Sequence, residues 1–283
     1  MKKITNRERQ CYFNGKIKTL EKVKIHPYDI GLLRGYAVFD VMCTQSQKPF
    51  YLENHWQRFK NSAEELGIKV KINFKEYEKV IKKLLALNKF EKSIIRTVIT
   101  GGMSSNGFTY EPGQETFYIL VEKFIPLAKN LYTDGAKVIT YEYDRTFPRA
   151  KITNYIGAIK NQGRKEKAGA LEIIFTRNGK ALEASTSNFF IVKKGKLITT
   201  KDGILIGITR NVVIELAKKN KIKVEERNIK VSELFSADEI FLTATNKDVV
   251  PIVKIDGKKI GNGQPGKVTQ KMMKLFAEFV EKY

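Results

Sequence analysis

Apolar and polar residues change period several times along this chain, and the changes divide it into short elements. Trp56, Phe59, Ala63 and Leu66 recur at helical spacing, which predicts an amphipathic helix over 52–66. A second helix is predicted over 74–87. Around them the pattern is that of strands: 11–13 leading into the Asn14-Gly15 turn, the apolar run 37–42, and the pair 94–100 and 116–122, joined by a loop of glycine and serine. Residues 124–132 show neither period and read as a connection. Beyond them a strand is predicted over 137–143 and a helix over 154–168. Two hairpins follow, 172–176 turning through Arg177-Asn178-Gly179-Lys180, and 189–193 turning through Lys194-Gly195 into 196–200. Val212, Val213, Leu216 and Ala217 give 209–220 an apolar helical face, with Thr209 as its N-cap. A strand over 239–244 and an amphipathic helix over 268–283 complete the pattern.

Strands and helices interleave, but hairpins are too frequent for a doubly wound parallel sheet. The expected class is therefore α+β (mixed α/β) with two lobes. The first, a small N-terminal α/β lobe, spans 1–123; 124–132 is the connection; a larger C-terminal lobe spans 133–283.

Composition changes this picture little. The 283 residues are 42% hydrophobic, enough for a large core. The formal net charge of +22 raises the question of nucleic-acid binding. The lysines, however, are dispersed, as in Lys2-Lys3, Lys82-Lys83, Lys193-Lys194, Lys218-Lys219 and Lys258-Lys259, without zinc-ligand spacing or a basic helix followed by heptads. They read as a solvated surface that favours anionic substrates, with no nucleic-acid partner. Cys11 and Cys43 are too few for a disulfide framework, and no metal site is expected. Met1 to Arg7 carry no apolar signal segment, and no stretch approaches the roughly 18 apolar residues of a membrane span. A cytoplasmic protein with no membrane partner is expected.

Four places could carry chemistry. Lys151 lies between a strand and a helix, where a desolvated lysine can form a Schiff base; the ordinary alternative is an exposed lysine. Glu183 precedes the apolar Phe189-Phe190-Ile191-Val192, where a carboxylate requires a partner. Gly207-Ile208-Thr209-Arg210 opens a helix, whose free N–H groups and hydroxyl suit a phosphate as well as simple capping. Leu242-Thr243-Ala244-Thr245-Asn246 ends a strand in small and hydroxyl residues.

These segments resemble, in order and over nearly the whole chain, the class IV aminotransferases (pyridoxal-phosphate fold type IV). The matching stretches are Tyr12-Phe13-Asn14-Gly15, 29–40, Glu53-Asn54-His55-Trp56-Gln57-Arg58-Phe59, Lys151-Ile152-Thr153-Asn154-Tyr155, 182–190, Gly207-Ile208-Thr209-Arg210 and Thr243-Ala244-Thr245. The resemblance implies pyridoxal 5'-phosphate as cofactor and a pseudo-barrel C-terminal lobe. It implies Lys151 as the Schiff-base lysine that moves the proton at the substrate Cα, and Glu183 as the partner of the pyridine nitrogen. It further implies Arg58, Ile208, Thr209 and Thr245 as phosphate contacts and Tyr155 beside the ring oxygen. Two half-reactions with ping-pong kinetics and a homodimer follow from the same likeness.

For the substrate, Arg34, Arg96 and Tyr36 are the candidates, the arginines holding carboxylates; a structural ion pair is the alternative for each. The Val-Phe-Glu-Gly signature of branched-chain enzymes reads Val38-Phe39-Asp40-Val41 here, and Ile94 stands where those enzymes have tyrosine. Leu33-Arg34-Gly35-Tyr36 resembles a divergent D-amino-acid group, although Thr100-Gly101-Gly102-Met103-Ser104-Ser105 lacks the usual D-type arginine. The expectation is a D-amino-acid (D-alanine or D-glutamate):2-oxoglutarate aminotransferase. Branched-chain L-amino-acid transfer, aminodeoxychorismate lyase and, outside enzymes, a basic nucleic-acid-binding protein are the alternatives.

Overall fold

A computed structural model describes residues 8–283, so the lysine-containing start at 1–7 lies outside the described residues. The chain forms two compact units, 1–125 with 150–154, and 126–149 with 155–283. The linear division at 124–132 does not anticipate the excursion of residues 150–154, which takes Lys151 out of the C-terminal lobe and into the first unit.

The first unit contains β1 (Gln10–Phe13), β2 (Lys16–Thr19), α1 (Ile30–Arg34), β3 (Ala37–Gln45), β4 (Lys48–Pro49), α2 (Leu52–Glu65), α3 (Phe74–Asn88), β5 (Ser93–Thr100) and β6 (Thr116–Lys123). Its strands form a six-stranded antiparallel sheet in the order β2-β1-β6-β5-β3-β4. Asn14 and Gly15 take positive φ, as a two-residue hairpin turn between right-twisted strands requires. Helix α3 starts at a reciprocal cap: Asn73 Oδ1 accepts from Glu76 N, and Glu76 Oε2 accepts from Asn73 N. Alternation along the strands puts Val38, Met42, Ile95 and Ile99 on one face, where they bury Trp56, Phe59 and Ala63 of α2 and Tyr77, Ile81 and Leu84 of α3. Ala150 and Ile152 belong to the same core.

The second unit contains α4 (Asn130–Thr133), β7 (Ala136–Glu142), α5 (Ile156–Lys160), α6 (Gln162–Lys167), β8 (Glu172–Arg177), β9 (Lys180–Ala184), β10 (Asn188–Lys193), β11 (Lys196–Thr199), α7 (Ile208–Lys219), β12 (Val224–Glu226), β13 (Ile229–Lys230), α8 (Val231–Ser236), β14 (Glu239–Ala244), β15 (Asp248–Ile255), β16 (Lys258–Lys259) and α9 (Lys267–Glu281). Ten strands form one mixed sheet, in the order β12-β11-β10-β14-β15-β7-β8-β9-β13 with β16 on β15. The pairs β15–β7, β7–β8 and β11–β12 are parallel. Both sheet faces are covered: Val138 and Ile174 join the main core, whereas Ile139, Ile173 and Phe175 face the other way onto Ala158 of α5. The helix expected over 154–168 is two short ones meeting at Asn161, whose φ of −98° and ψ of 9° break the helical path. None of the helices among the described residues is long and apolar enough to cross a membrane.

Candidate active site

The first unit brings Arg58 and Lys151 to one small cluster. Arg58 projects from α2 and grips Asp40 of β3 with two hydrogen bonds, Nε to Oδ2 at 2.7 Å and Nη2 to Oδ1 at 3.0 Å. His55, one helical turn earlier, lies with Nδ1 2.6 Å from the same Oδ1. An ionised carboxylate only accepts, so His55 Nδ1 carries the hydrogen. Asp40 and His55 are both fully enclosed. Burial pushes the Asp40 carboxyl up, but Arg58 and His55 beside it outweigh this and hold it well below the usual carboxylate range. Burial also pushes His55 down, more than Asp40 raises it.

Lys151 is fixed through its backbone. Its N–H donates to Ser62 Oγ at 3.0 Å, and Ser62 Oγ donates to Arg58 O at 2.8 Å, so α2 anchors both residues. Its carbonyl accepts from Phe39 N, and Thr153 N donates to Ala37 O, which lays 151–153 along β3 as an antiparallel bridge. The Lys151 ammonium sits 4.7 Å from the Phe39 ring centre.

The three substrate candidates are also in this unit. Arg96 on β5 reaches diagonally to Glu122 on β6 at 3.2 Å, both half-exposed. Arg34 is exposed at the end of α1, donates to Leu33 O and lies 5.9 Å from the Phe108 ring. The Tyr36 hydroxyl donates to Leu66 O at the end of α2.

In the second unit Glu183, 5% exposed near the end of β9, is held at both oxygens. Arg145 Nη1 donates to Oε1 at 2.5 Å, and Leu205 N donates to Oε2 at 3.2 Å. The expected buried carboxylate thus has a protein cation as well as a backbone donor. The helix start expected at Thr209 lies one residue earlier. Gly207 is the N-cap, no side chain caps it, and Ile208 and Thr209 occupy the first turn. Thr209 is therefore not the cap; it is buried in a first turn that contains no acidic residue of its own. A Cβ on Gly207 would collide with Asn188 Oδ1, and Asn188 Nδ2 donates to Leu205 O, so this glycine lets β10 hold the helix entrance closely. Arg210 of the same motif turns inward to Thr200 O and Glu226. Thr243 Oγ1 on β14 is buried without a hydrogen bond, two residues before the half-buried Thr245. Tyr155 precedes α5 and packs against the Ile139–Phe175 cluster.

One feature escaped the sequence altogether. Glu172, at the head of β8, is 2% exposed and accepts from Ser185 Oγ (3.0 Å), Thr186 N (2.7 Å), Thr186 Oγ1 (2.9 Å) and Ser187 Oγ, with Lys247 Nζ at 3.0 Å. Burial pushes its carboxyl up, and Lys247 and the hydroxyls more than reverse that. Lys247 also donates to Thr186 Oγ1 at 2.8 Å. One ion pair therefore ties the turn after Glu183 to the turn that carries Thr245.

A helix N-terminus without a side-chain cap and with a hydroxyl in its first turn, a buried hydroxyl near a second threonine, and a gripped arginine are donor sets suited to a phosphate. The comparisons agree with that chemistry. The family model "Amino-transferase class IV" matches residues 37–255. A putative branched-chain-amino-acid aminotransferase of Methanocaldococcus jannaschii is 33% identical, over 97% of both chains. A D-alanine aminotransferase of Staphylococcus aureus is 26% identical, over 97% of this chain and 99% of its own. Among solved structures, the T.th. branched-chain amino acid aminotransferase with pyridoxamine 5'-phosphate superposes with a TM-score of 0.89 at 26% identity, over 97% of this chain and 95% of that one. The chain belongs to the class IV aminotransferase family and has its mixed α+β fold, type IV, with a small N-terminal sheet and a larger curled C-terminal one.

Proposed function

We propose that this protein transfers amino groups between branched-chain L-amino acids and a 2-oxo acid such as 2-oxoglutarate. The observation that carries the substrate choice is full-length identity of 33% to a branched-chain relative, against 26% to the D-alanine enzyme. The departure that favoured D-amino acids in the sequence loses its weight. Asp40, which replaces the glutamate of the branched-chain signature, is committed to Arg58 and His55 on the helix side of the sheet. An aspartate there bears on how Arg58 is held, and says little about substrate hand. The Leu33-Arg34-Gly35-Tyr36 stretch still favours the D-amino-acid reading, which is the second one.

Pyridoxal 5'-phosphate, when bound, supplies the electron sink that makes the substrate Cα proton labile. The chain's own residues do the rest. Lys151 would hold the cofactor through its Nζ, and its free amine would move the proton at the substrate Cα. Glu183 accepts the pyridine N–H, with Arg145 and Leu205 N fixing its plane. Arg58, the Ile208 N–H, the Thr209 hydroxyl and Thr245 hold the phosphate, and Tyr155 lies beside the ring oxygen. Arg96 takes the substrate carboxylate by exchanging it for half-exposed Glu122, which costs little in water. Arg34 and Tyr36 contribute to the same end.

Homodimerisation is part of the proposal. Tyr28, Leu32, Leu33, Met103 and Phe108 are exposed apolar side chains, brought together by the Asp29–Met103 bridge. Phe108 is 77% exposed and Leu32 69%, and apolar side chains grouped in this way mark an interaction surface.

The test is a half-reaction. Protein loaded with pyridoxal phosphate is mixed with L-leucine, L-glutamate, D-alanine or D-glutamate, and the cofactor absorbance is followed. L-leucine and L-glutamate are expected to respond. A response confined to the D-amino acids would overturn the substrate reading. Borohydride reduction followed by peptide mapping is expected to mark Lys151.

A further inference from the structure

The first unit holds a cavity of about 630 Å³, and no residue assigned above to cofactor or substrate lines it. Its floor is the helix-covered side of the sheet: Tyr12, Phe117 and Ile99, with Val80 of α3 and Ile72 of the preceding loop. Apart from Ile99 these side chains are only half-buried, so the concave floor offers apolar surface that the chain itself leaves uncovered. Tyr12 and Phe117 meet edge to face, 5.9 Å between ring centres, and form a fixed aromatic corner.

The walls are held before any ligand arrives. Tyr110 Oη accepts from Lys69 N at 3.0 Å and donates to Glu115 Oε1 at 2.7 Å. Glu115 also accepts from Gly113 N at 3.0 Å and pairs with Lys71 at 3.2 Å, and Lys71 donates to Gly113 O. Glu76, which also lines the cavity, is held by the cap with Asn73. Both carboxylates that line the cavity, Glu76 and Glu115, are thus engaged in building it. Among the described residues, no carboxylate pairs with the ammonium of Lys69 or of Lys79 at the rim.

From this juxtaposition, an apolar and aromatic floor beside three lysines of which, among the described residues, only Lys71 is paired, through Glu115, we propose that the cavity binds an amphipathic organic anion: an aryl or short branched acyl group carrying one carboxylate, sulfonate or phosphate. The volume is that of ordinary small-ligand sites, and prearranged walls remove most of the ordering cost of binding. The hydrocarbon covers Val80, Ile72 and Phe117, and the charged head remains at the mouth between Lys69 and Lys79, where solvent relieves the cost of desolvating it.

The probe is naphthalene-2-sulfonate, titrated into the cofactor-loaded protein by calorimetry with a saturating amino-acid substrate present. One site per chain is expected. Its uncharged sulfonamide should bind about tenfold more weakly, as should the probe to the rim variant Lys69→Glu/Lys79→Glu. Val80→Trp, which fills the floor, should abolish binding. The rim variant changes two exposed side chains and should keep transaminase activity, which verifies its folding independently of Val80→Trp. The proposal is overturned if the probe fails to bind below about millimolar concentration. Unchanged binding in the rim variant or in folded Val80→Trp, or displacement of the probe by substrate, overturns it equally.

Discussion

Asp40 accepts two hydrogen bonds from Arg58 and a third from His55, all within 3.0 Å, in a setting closed to solvent. The arginine assigned to the cofactor phosphate is therefore oriented from behind. Asp40→Asn keeps the shape but removes the charge. It is expected to cost about 3–5 kcal/mol of stability, as breaking a buried ion pair does, and to weaken pyridoxal phosphate binding. Denaturant unfolding and cofactor titration measure the two effects. Asp40→Glu should restore more of the cofactor binding than of the stability.

The same cluster makes the first unit acid-sensitive. His55 lies below its ordinary 6.5, Asp40 below 3.8 and, in the second unit, Glu172 below 4.5. Each then binds fewer protons folded than unfolded as pH falls through its ordinary value, so each contributes stability at high pH that is lost on acidification. The melting temperature should decline from about pH 6.5 downward, first through His55, and more steeply below about pH 4.5. His55→Asn, which retains a donor for Asp40, should flatten the first part of that decline; an unchanged slope would remove His55 from the account.

Glu183 and Arg145 separate catalysis from structure. Glu183→Met leaves Arg145 without its carboxylate in a mostly buried position and is expected to lower both stability and turnover. Adding Arg145→Met should recover stability, since two apolar side chains can replace a buried pair. Turnover should stay reduced, because neither methionine can hold a pyridine N–H. Recovery of turnover in the double variant would make Glu183 a structural residue only.

Lys247→Met strands Glu172 among hydroxyls with no cation. The expected loss is about 3–5 kcal/mol, most of it returned in Glu172→Gln/Lys247→Met. Chemical denaturation of the two variants decides this.

Local signals were readable in the sequence wherever a few adjacent residues dictate the backbone. Asn14-Gly15, Asn178-Gly179 and Lys194-Gly195 all take the positive φ values of tight hairpins; the strands around the last two form as expected, and the strand before Asn14 gains an unexpected partner in β2. Asp256-Gly257 carries the same signal and joins β15 to β16. Signals that depend on distant partners could not be read. The placement of Lys151 against β3 rests on single backbone bonds to Phe39 and Ala37, which no periodicity announces. Asp40, Arg145, Glu172 and Lys247 are charged residues whose burial is possible only because a partner far along the chain arrives beside them. Capping preference points to Thr209, whereas the cap is Gly207, because contact with Asn188 demands a glycine there.

The excursion of residues 150–154 also bears on how the chain can be divided. A fragment ending near residue 125 looks like a separable module by length, yet it would forfeit the short stretch that satisfies Phe39 N and Ala37 O and adds Ala150 and Ile152 to its core. It would also lack Lys151. Any attempt to express, graft or permute the first unit must carry this borrowed pentapeptide with it, for instance fused behind residue 125. Lys151, the lysine proposed to hold the cofactor, and the scaffold that orients it are inherited as one piece, although the gene writes them far apart.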